Sequence, residues 1–392
     1  MNASAASQAG TAAPILALTL PRTLYAAGAV KALPAELESL GVRRPLVVTD
    51  KGLAAAGLAA RVVAACGTTV KAVLFDAVTE NPLFSDVDAG AASYAAHGCD
   101  GVIAVGGGSV IDTAKMIALL ATNAGSVADY AGVPNVRHGP AAPLVVIPTT
   151  AGTGSEVSPS AGIHPDAFTA SVGMNSRHLV PVLAVLDPEL TVSLPRRLTA
   201  ATGIDALSHC IEGYLSNRDQ PLGKSIALDG IRRAVRHLRR AVADGTDLDA
   251  RGEMMLAAYA GGVSIGMGLG PAHAIAITCS DQGFHHGVLS GIGLVATLDA
   301  TAEQVPARMA AVSEAFGLSP SASLAQGVAT LMRELGLPAS LAELGYAAKD
   351  LQTMAAAAER SHFNLSAPFR PNASHYAAFL ARSLNPETST CA

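Results

Sequence analysis

Residues 100–115 read DGVIAVGGGSVIDTAK. An unbroken apolar run ends in three glycines, and the chain then continues with residues suited to a helix. A strand that does not alternate polar with apolar is buried on both faces, as in a parallel sheet covered by helices. Gly106, Gly107 and Gly108 let the backbone approach a ligand closely. The helix that follows presents free N–H groups and a positive dipole end, a combination that binds phosphate. A plain strand-to-helix turn is the alternative, but that turn needs one glycine rather than three. The pattern is not GxGxxG, so the glycines alone do not identify a dinucleotide site.

Outward from this segment, RPLVVTD (44–50), KAVLFD (71–76), PLVVIPTTAGTGS (143–155) and VLAVLDPEL (182–190) are further strand candidates. GLAARVVAACG and SDVDAGAASYAAHG lie between the early ones and have helical character. Continuous strands separated by helices predict a parallel sheet. From about Leu198 the strand signals stop and helical periodicity takes over. The fold class expected is an α/β amino-terminal domain with a parallel nucleotide-binding sheet, followed by an all-α carboxyl-terminal domain. The expected boundaries are a disordered tail over 1–15, the α/β domain over 16–190 and the helical domain over 191–392. The cleft between such domains is a usual ligand site.

A second strand end, IPTTAGTGSE (147–156), crowds hydroxyls and glycines where open α/β sheets bind ligands. Asp50 closes the strand LVVTD. A carboxylate there can accept hydrogen bonds from ribose hydroxyls and repel a 2′-phosphate, which favours NAD over NADP. Its alternative use is as a helix N-cap. In the helical half, GIDALSHCIEG (203–213) places Asp205 and His209 four apart, on one helix face. GLGPAHAIAITCSDQGFHHGVLSG (268–291) adds His273, His285 and His286. Carboxylate and imidazole suit a divalent first-row metal. A hydrogen-bonded Asp205–His209 pair is the simpler reading.

The bulk numbers exclude other classes. The net charge is −5 with 15% charged residues, which argues against a nucleic-acid partner. Five scattered cysteines without a CxxC pair fit a reducing cytoplasm. No apolar run is long enough to span a membrane, and the first residues lack the basic and apolar regions of a signal peptide.

Taken together, VTDKGL, ENP (80–82), GGGSVIDTAK, PTTAGTGSEVS, LDPELT, GIDALSHCIEG and the block 268–291 resemble the iron-containing (group III metal-dependent) alcohol dehydrogenase family, whose fold is shared with dehydroquinate synthase and glycerol dehydrogenase. The resemblance covers about residues 20–387. It implies that Gly106, Gly107, Gly108 and Ser109 hold the pyrophosphate of NAD, with Asp112 close by. Thr149 and Thr150 would line the adenosine and ribose, Asn81 the nucleotide cleft, and Asp50 the position associated with NAD preference. Asp205, His209, His273 and His286 match the four metal ligands, usually for Fe2+ and in some members Zn2+.

Three departures stand out. A second histidine, expected four residues after His273 and favoured for proton transfer, is replaced by Ile277, for which His285 is the nearest substitute. Ser171 stands where many relatives carry a lysine near the ribose. The usual NPR near the carboxyl terminus becomes APFRPN (367–372).

The expected reaction is reversible hydride transfer between nicotinamide C4 and a small primary alcohol or its aldehyde, with the metal as Lewis acid and His273 and His285 at the catalytic centre. A homodimer formed through an edge at TLPRTLYAAG (19–28) is expected. The runner-up is a reductase of an acidic carbonyl compound, maleylacetate-like or a semialdehyde, with Arg177, His178 or Arg370 binding the anion. From other classes come a dehydroquinate synthase-like lyase and a nucleotide-binding protein without catalysis.

Overall fold

The computed structural model describes residues 17–133, 136–319 and 321–385, so the tail expected over residues 1–15 lies outside them. Six strands form one parallel sheet: β1 (Arg22–Tyr25), β2 (Pro45–Asp50), β3 (Val73–Val78), β4 (Gly101–Gly106), β5 (Leu144–Pro148) and, later in the chain, β8 (Leu183–Leu186). Their order is β1-β8-β5-β4-β2-β3, and each adjoining pair is parallel. β6 (Ser160–Ile163) and β7 (Val172–Asn175) form a separate antiparallel pair. Five sheet strands fall on the apolar runs read from the sequence. β1, β6 and β7 are four residues each and partly exposed, and none carries an apolar run.

The continuous apolar strands divide their side chains between two covered faces. Val102 and Ala104 of β4 and Leu144 and Val146 of β5 pack into one core. Ile103, Val105, Val145 and Ile147 pack into another on the opposite face. The flanking helices are α1 (Leu33–Leu40), α2 (Lys51–Ala55), α3 (Leu58–Ala65), α4 (Phe84–Ala96) and α5 (Gly108–Leu120).

A third core fills the helical half. Its chief helices are α6 (Arg196–Leu215), α7 (Pro221–Ala243), α8 (Leu248–Ile265), α9 (Pro271–Thr278) and α10 (His286–Gln304), with α11 to α15 following between Pro306 and Leu384. Among the described residues no helix is long and apolar enough to cross a membrane. Cys66, Cys99, Cys210 and Cys279 are buried free thiols.

Helix α5 holds the segment after β5 through two polar side chains, the half-buried Asp112 and the buried Lys115. Asp112 accepts hydrogen bonds from Ser155 Oγ and from the Gly162 backbone N–H, the latter at 2.8 Å. Lys115, fully buried, donates to Ser158 O at 2.9 Å, Ser158 Oγ at 3.2 Å and Ser160 O at 2.7 Å. Burial pushes its ammonium down to about 8, against the opposing pull of Asp112 and Glu156. Lys115→Met removes these bonds and leaves Asp112 without its neighbouring cation. Urea unfolding should show a loss of about 3 kcal/mol; an unchanged midpoint and slope would rule out the clamp.

Candidate metal centre

Helix α6 is buried on almost all sides, which an amphipathic surface helix is not. At 3.6 residues per turn Asp205, His209 and Glu212 share one face. Small residues let the other helices close on that face. A Cβ on Gly287 would lie 2.2 Å from Ala201 O and 2.9 Å from Asp205 Cβ, so only glycine lets the start of α10 rest on α6. A Cβ on Gly261 of α8 would sit 3.1 Å from His209 Cβ. His286 is the first residue of α10, and His273 lies in the first turn of α9.

These elements bring Asp205, His209, His273 and His286 together, with one potential ligand atom from each all within 4.8 Å of one another. The His209 and His273 rings lie nearly parallel, 4.8 Å between centroids. His286 Nε2 and His209 Nε2 are 3.8 Å and 3.9 Å from Asp205 Oδ1, too far for hydrogen bonds. That rules out the simpler reading of Asp205 and His209 as a hydrogen-bonded pair. Asp205 Oδ1, His209 Nδ1 and His273 Nε2 are buried with no hydrogen-bond partner among the described residues. Buried polar atoms left unpaired are costly, and Asp205 Oδ1 and His273 Nε2, set beside the His209 and His286 rings, suit a cation.

The protonation states agree with that reading. Burial pushes the His209 imidazolium down to about 4, so the ring is neutral at neutral pH and keeps a lone pair. Burial disfavours the ionised form of Asp205, but the histidines around it outweigh this and hold the carboxyl below its ordinary range. One carboxylate and three imidazoles form a donor set for Fe2+ or Zn2+.

Sequence reasoning assigned no role to Glu212. Its carboxylate is buried and lies 2.6 Å from His273 Nδ1. The signal was in the sequence, since Glu212 is the third polar residue at helical spacing in DALSHCIE. Phe363, likewise unassigned, sits edge-on to the His273 ring with centroids 5.6 Å apart.

His285 is outside the four-residue cluster. It caps α10, its Nδ1 accepting from the Gly287 N–H at 3.1 Å, so in the neutral ring the proton is on Nε2. Ile277, one turn beyond His273, is 37% exposed and offers no proton-carrying group. Arg177 and Arg370 are exposed, and His178 is half-buried.

The glycine-rich turn lies at the carboxyl end of β4, where α5 begins at Gly108. A Cβ on Gly107 would meet Thr150 Cγ2 at 3.2 Å, and one on Gly108 would meet Thr153 Cγ2 at 2.6 Å. Thr149 is buried and donates its backbone N–H to Gly106 O at 3.0 Å. Ser109 Oγ donates to the carbonyl of Glu80, next to the exposed Asn81. Asp50 is level with Gly106, since β2 pairs with β4 at Val48 and Ala104. It is also the N-cap of α2, accepting from Leu53 N–H at 2.9 Å. Asp112 sits under the turn with both oxygens engaged by the following loop. Ser171 Oγ lies near Gly162, on the β6 side of Asp112.

The loop 149–156 touches both halves. A Cβ on Gly152 would lie 2.6 Å from Thr202 Cβ, one turn before Asp205. Gly154, at φ +63°, would place a Cβ 2.3 Å from Gly262 Cα of α8. One wall therefore serves the glycine turn and the histidine cluster.

Residues 21–188 match the family model described as iron-containing alcohol dehydrogenase. Residues 199–384 match the one described as Fe-containing alcohol dehydrogenase family, C-terminal. The chain is 40% identical over 370 residues to a 4-hydroxybutyrate dehydrogenase of Cupriavidus necator, covering 91% of this chain and 96% of that protein. It is 33% identical over 348 residues to an NAD-dependent methanol dehydrogenase of Bacillus methanolicus, covering 86% and 91%. Among solved structures, a 1,3-propanediol oxidoreductase superposes with a TM-score of 0.90 at 29% identity, covering 94% of this chain and 100% of that one.

Replacing His273 with alanine should abolish retention of Fe2+ or Zn2+ through gel filtration, with the helical circular dichroism preserved. Metal analysis checks this, and wild-type loading in the variant would refute the cluster as the binding site.

Proposed function

The chain belongs to the iron-containing alcohol dehydrogenase family and is an oxidoreductase of alcohols and aldehydes; from that premise we propose NAD(H) as coenzyme and Fe2+ as metal, with Zn2+ the alternative occupant. Asp205, His209, His273 and His286 hold the ion in this proposal. The observation that carries it is the convergence of buried, unpartnered Asp205 Oδ1 and His273 Nε2 on a wall shared with the glycine turn. A bound divalent cation supplies Lewis-acid polarisation of the substrate oxygen, and the nicotinamide supplies the hydride chemistry.

The protein's own groups do the rest. Gly106, Gly107, Gly108 and Ser109 receive the pyrophosphate at the amino end of α5, where side chains are excluded and N–H groups are free. Thr149 and Thr150 border this site, and Asn81 flanks it across the Ser109–Glu80 hydrogen bond. Asp112 shapes the site from beneath. Asp50 favours NAD by repelling a 2′-phosphate. The alcohol proton leaves through water or a ribose hydroxyl, because Ile277 cannot accept it and the neutral His285 ring already carries its proton on Nε2 with Nδ1 taken by the Gly287 N–H.

A small primary alcohol is the substrate class. Within that class, an ω-hydroxy acid and its anionic semialdehyde form a second reading, favoured by the similarity to the 4-hydroxybutyrate dehydrogenase. A homodimer along β1 and a cytoplasmic location belong to the same proposal. They are supported by the position of β1 at a sheet edge and by the four free thiols.

NADH absorbance with the Fe2+-loaded protein should fall on adding a short aldehyde. Propanal, 3-hydroxypropanal and succinic semialdehyde separate the neutral from the anionic preference. Turnover of a dehydroquinate precursor without net NADH change would instead favour the lyase reading. Gly108→Ala should raise the KM for NAD at least roughly tenfold, equivalent to a loss of about 1.4 kcal/mol, because its methyl group strikes Thr153; an unaltered KM would move the coenzyme elsewhere.

A further inference from the structure

The geometry points to Glu212 as the residue that positions His273 for metal binding, by fixing which ring nitrogen carries the proton. This rests on the metal site proposed above. Nothing in the reaction as described uses Glu212, yet its carboxylate is only 5% exposed and makes three contacts to one short stretch of chain. Oε1 accepts from the Ala272 backbone N–H at 2.8 Å. Oε2 accepts from the His273 backbone N–H at 3.3 Å and lies 2.6 Å from His273 Nδ1.

A single side chain from α6 thus caps the first turn of α9 and grips the imidazole that α9 carries. Gly270 keeps the approach open, since a Cβ there would come within 2.8 Å of Glu212 Oε1.

Both Glu212 oxygens accept from backbone N–H groups, so the carboxylate faces Nδ1 as an acceptor and Nδ1 is the donor. The neutral ring then has its proton on Nδ1 and its lone pair on Nε2. Nε2 is the buried atom without a partner that faces the cluster. A carboxylate behind a metal-binding imidazole both orients the ring and raises its basicity. Here the two ligands and the orienting group sit at positions 205, 209 and 212 of one helix, so the geometry of α6 sets all three.

Glu212→Gln tests the assignment because it keeps the shape and changes the chemistry. With its amide oxygen on the Ala272 N–H, the amide NH2 faces His273 Nδ1 and donates to it. The ring proton must then move to Nε2, the atom the metal needs. Competition against a chelator, with Co2+ and Zn2+ as probes, should show affinity weakened about 10- to 100-fold. The visible absorption bands of the Co2+ form should change as well. NADH binding, followed by fluorescence, should remain at the wild-type level.

A role confined to capping α9 would lower the stability of the metal-free protein and leave Co2+ affinity and spectrum as in the wild type; that result overturns the proposal. Nitrogen NMR of His273 in the metal-free wild type reports the tautomer directly and decides the matter even if the variant does not fold. A proton on Nδ1 supports the assignment, and a proton on Nε2 overturns it. Failure of the wild type itself to bind Co2+ would count against the metal site rather than against the role of Glu212.

Discussion

One carboxylate and three imidazoles, gathered where three helices meet and with Asp205 Oδ1 and His273 Nε2 left unpartnered, are the constraint on which the helical half depends. In an apolar interior each such atom costs free energy, commonly a few kcal/mol. A fold that merely needed a well-packed junction would place leucine or isoleucine there, as α6 does at Ile204, Leu207 and Ile211. A divalent cation turns the cost into an attraction, because each unpaired atom becomes a donor. The neutral state of His209 follows from the same burial, and so does the demand for glycine at positions 261 and 287.

The same economy of space joins the two halves. Dehydrogenation requires the hydride donor and the polarised oxygen to be held in near-contact. Here the loop after β5 meets the glycine turn through Thr150 and Thr153 and helices α6 and α8 through Gly152 and Gly154. Its far side is fastened to α5 by Asp112 and Lys115. A shift of that loop would move both binding walls at once, which explains why charged groups are buried there and so fully bonded.

Much of this was legible in the sequence. Strands β2, β4, β5 and β8 announce themselves because burial on both faces demands unbroken apolar residues. β3 is shifted two residues beyond KAVLFD, as befits an edge strand that is only half-buried. β6 and β7 were not legible as strands, being too short and too exposed to carry a period, whereas β1 lies within the edge that the family resemblance placed at 19–28. Asp205 and His209 could be placed on one face from helical geometry alone. That His273 and His286 join them is a tertiary fact, for which local spacing has no signal and only resemblance to a family pointed the way. Asp112 shows the opposite limit. Its position beside the glycines suggested a coenzyme contact, whereas its oxygens are taken up by Ser155 and Gly162.

Glu212 was missed for a physical reason. Its partner lies 61 residues away, so no window of sequence contains both. Within its own helix it follows Asp205 and His209 as one more polar residue on a buried face, where a shared ion would account for all three. Counting donors separates them. In the proposed site Asp205, His209, His273 and His286 are the ligands, while both oxygens of Glu212 are already engaged by Ala272 and His273. The remaining acid must therefore face a donor other than the ion. In this protein that donor is the far nitrogen of a ligand together with the open end of the helix that carries it.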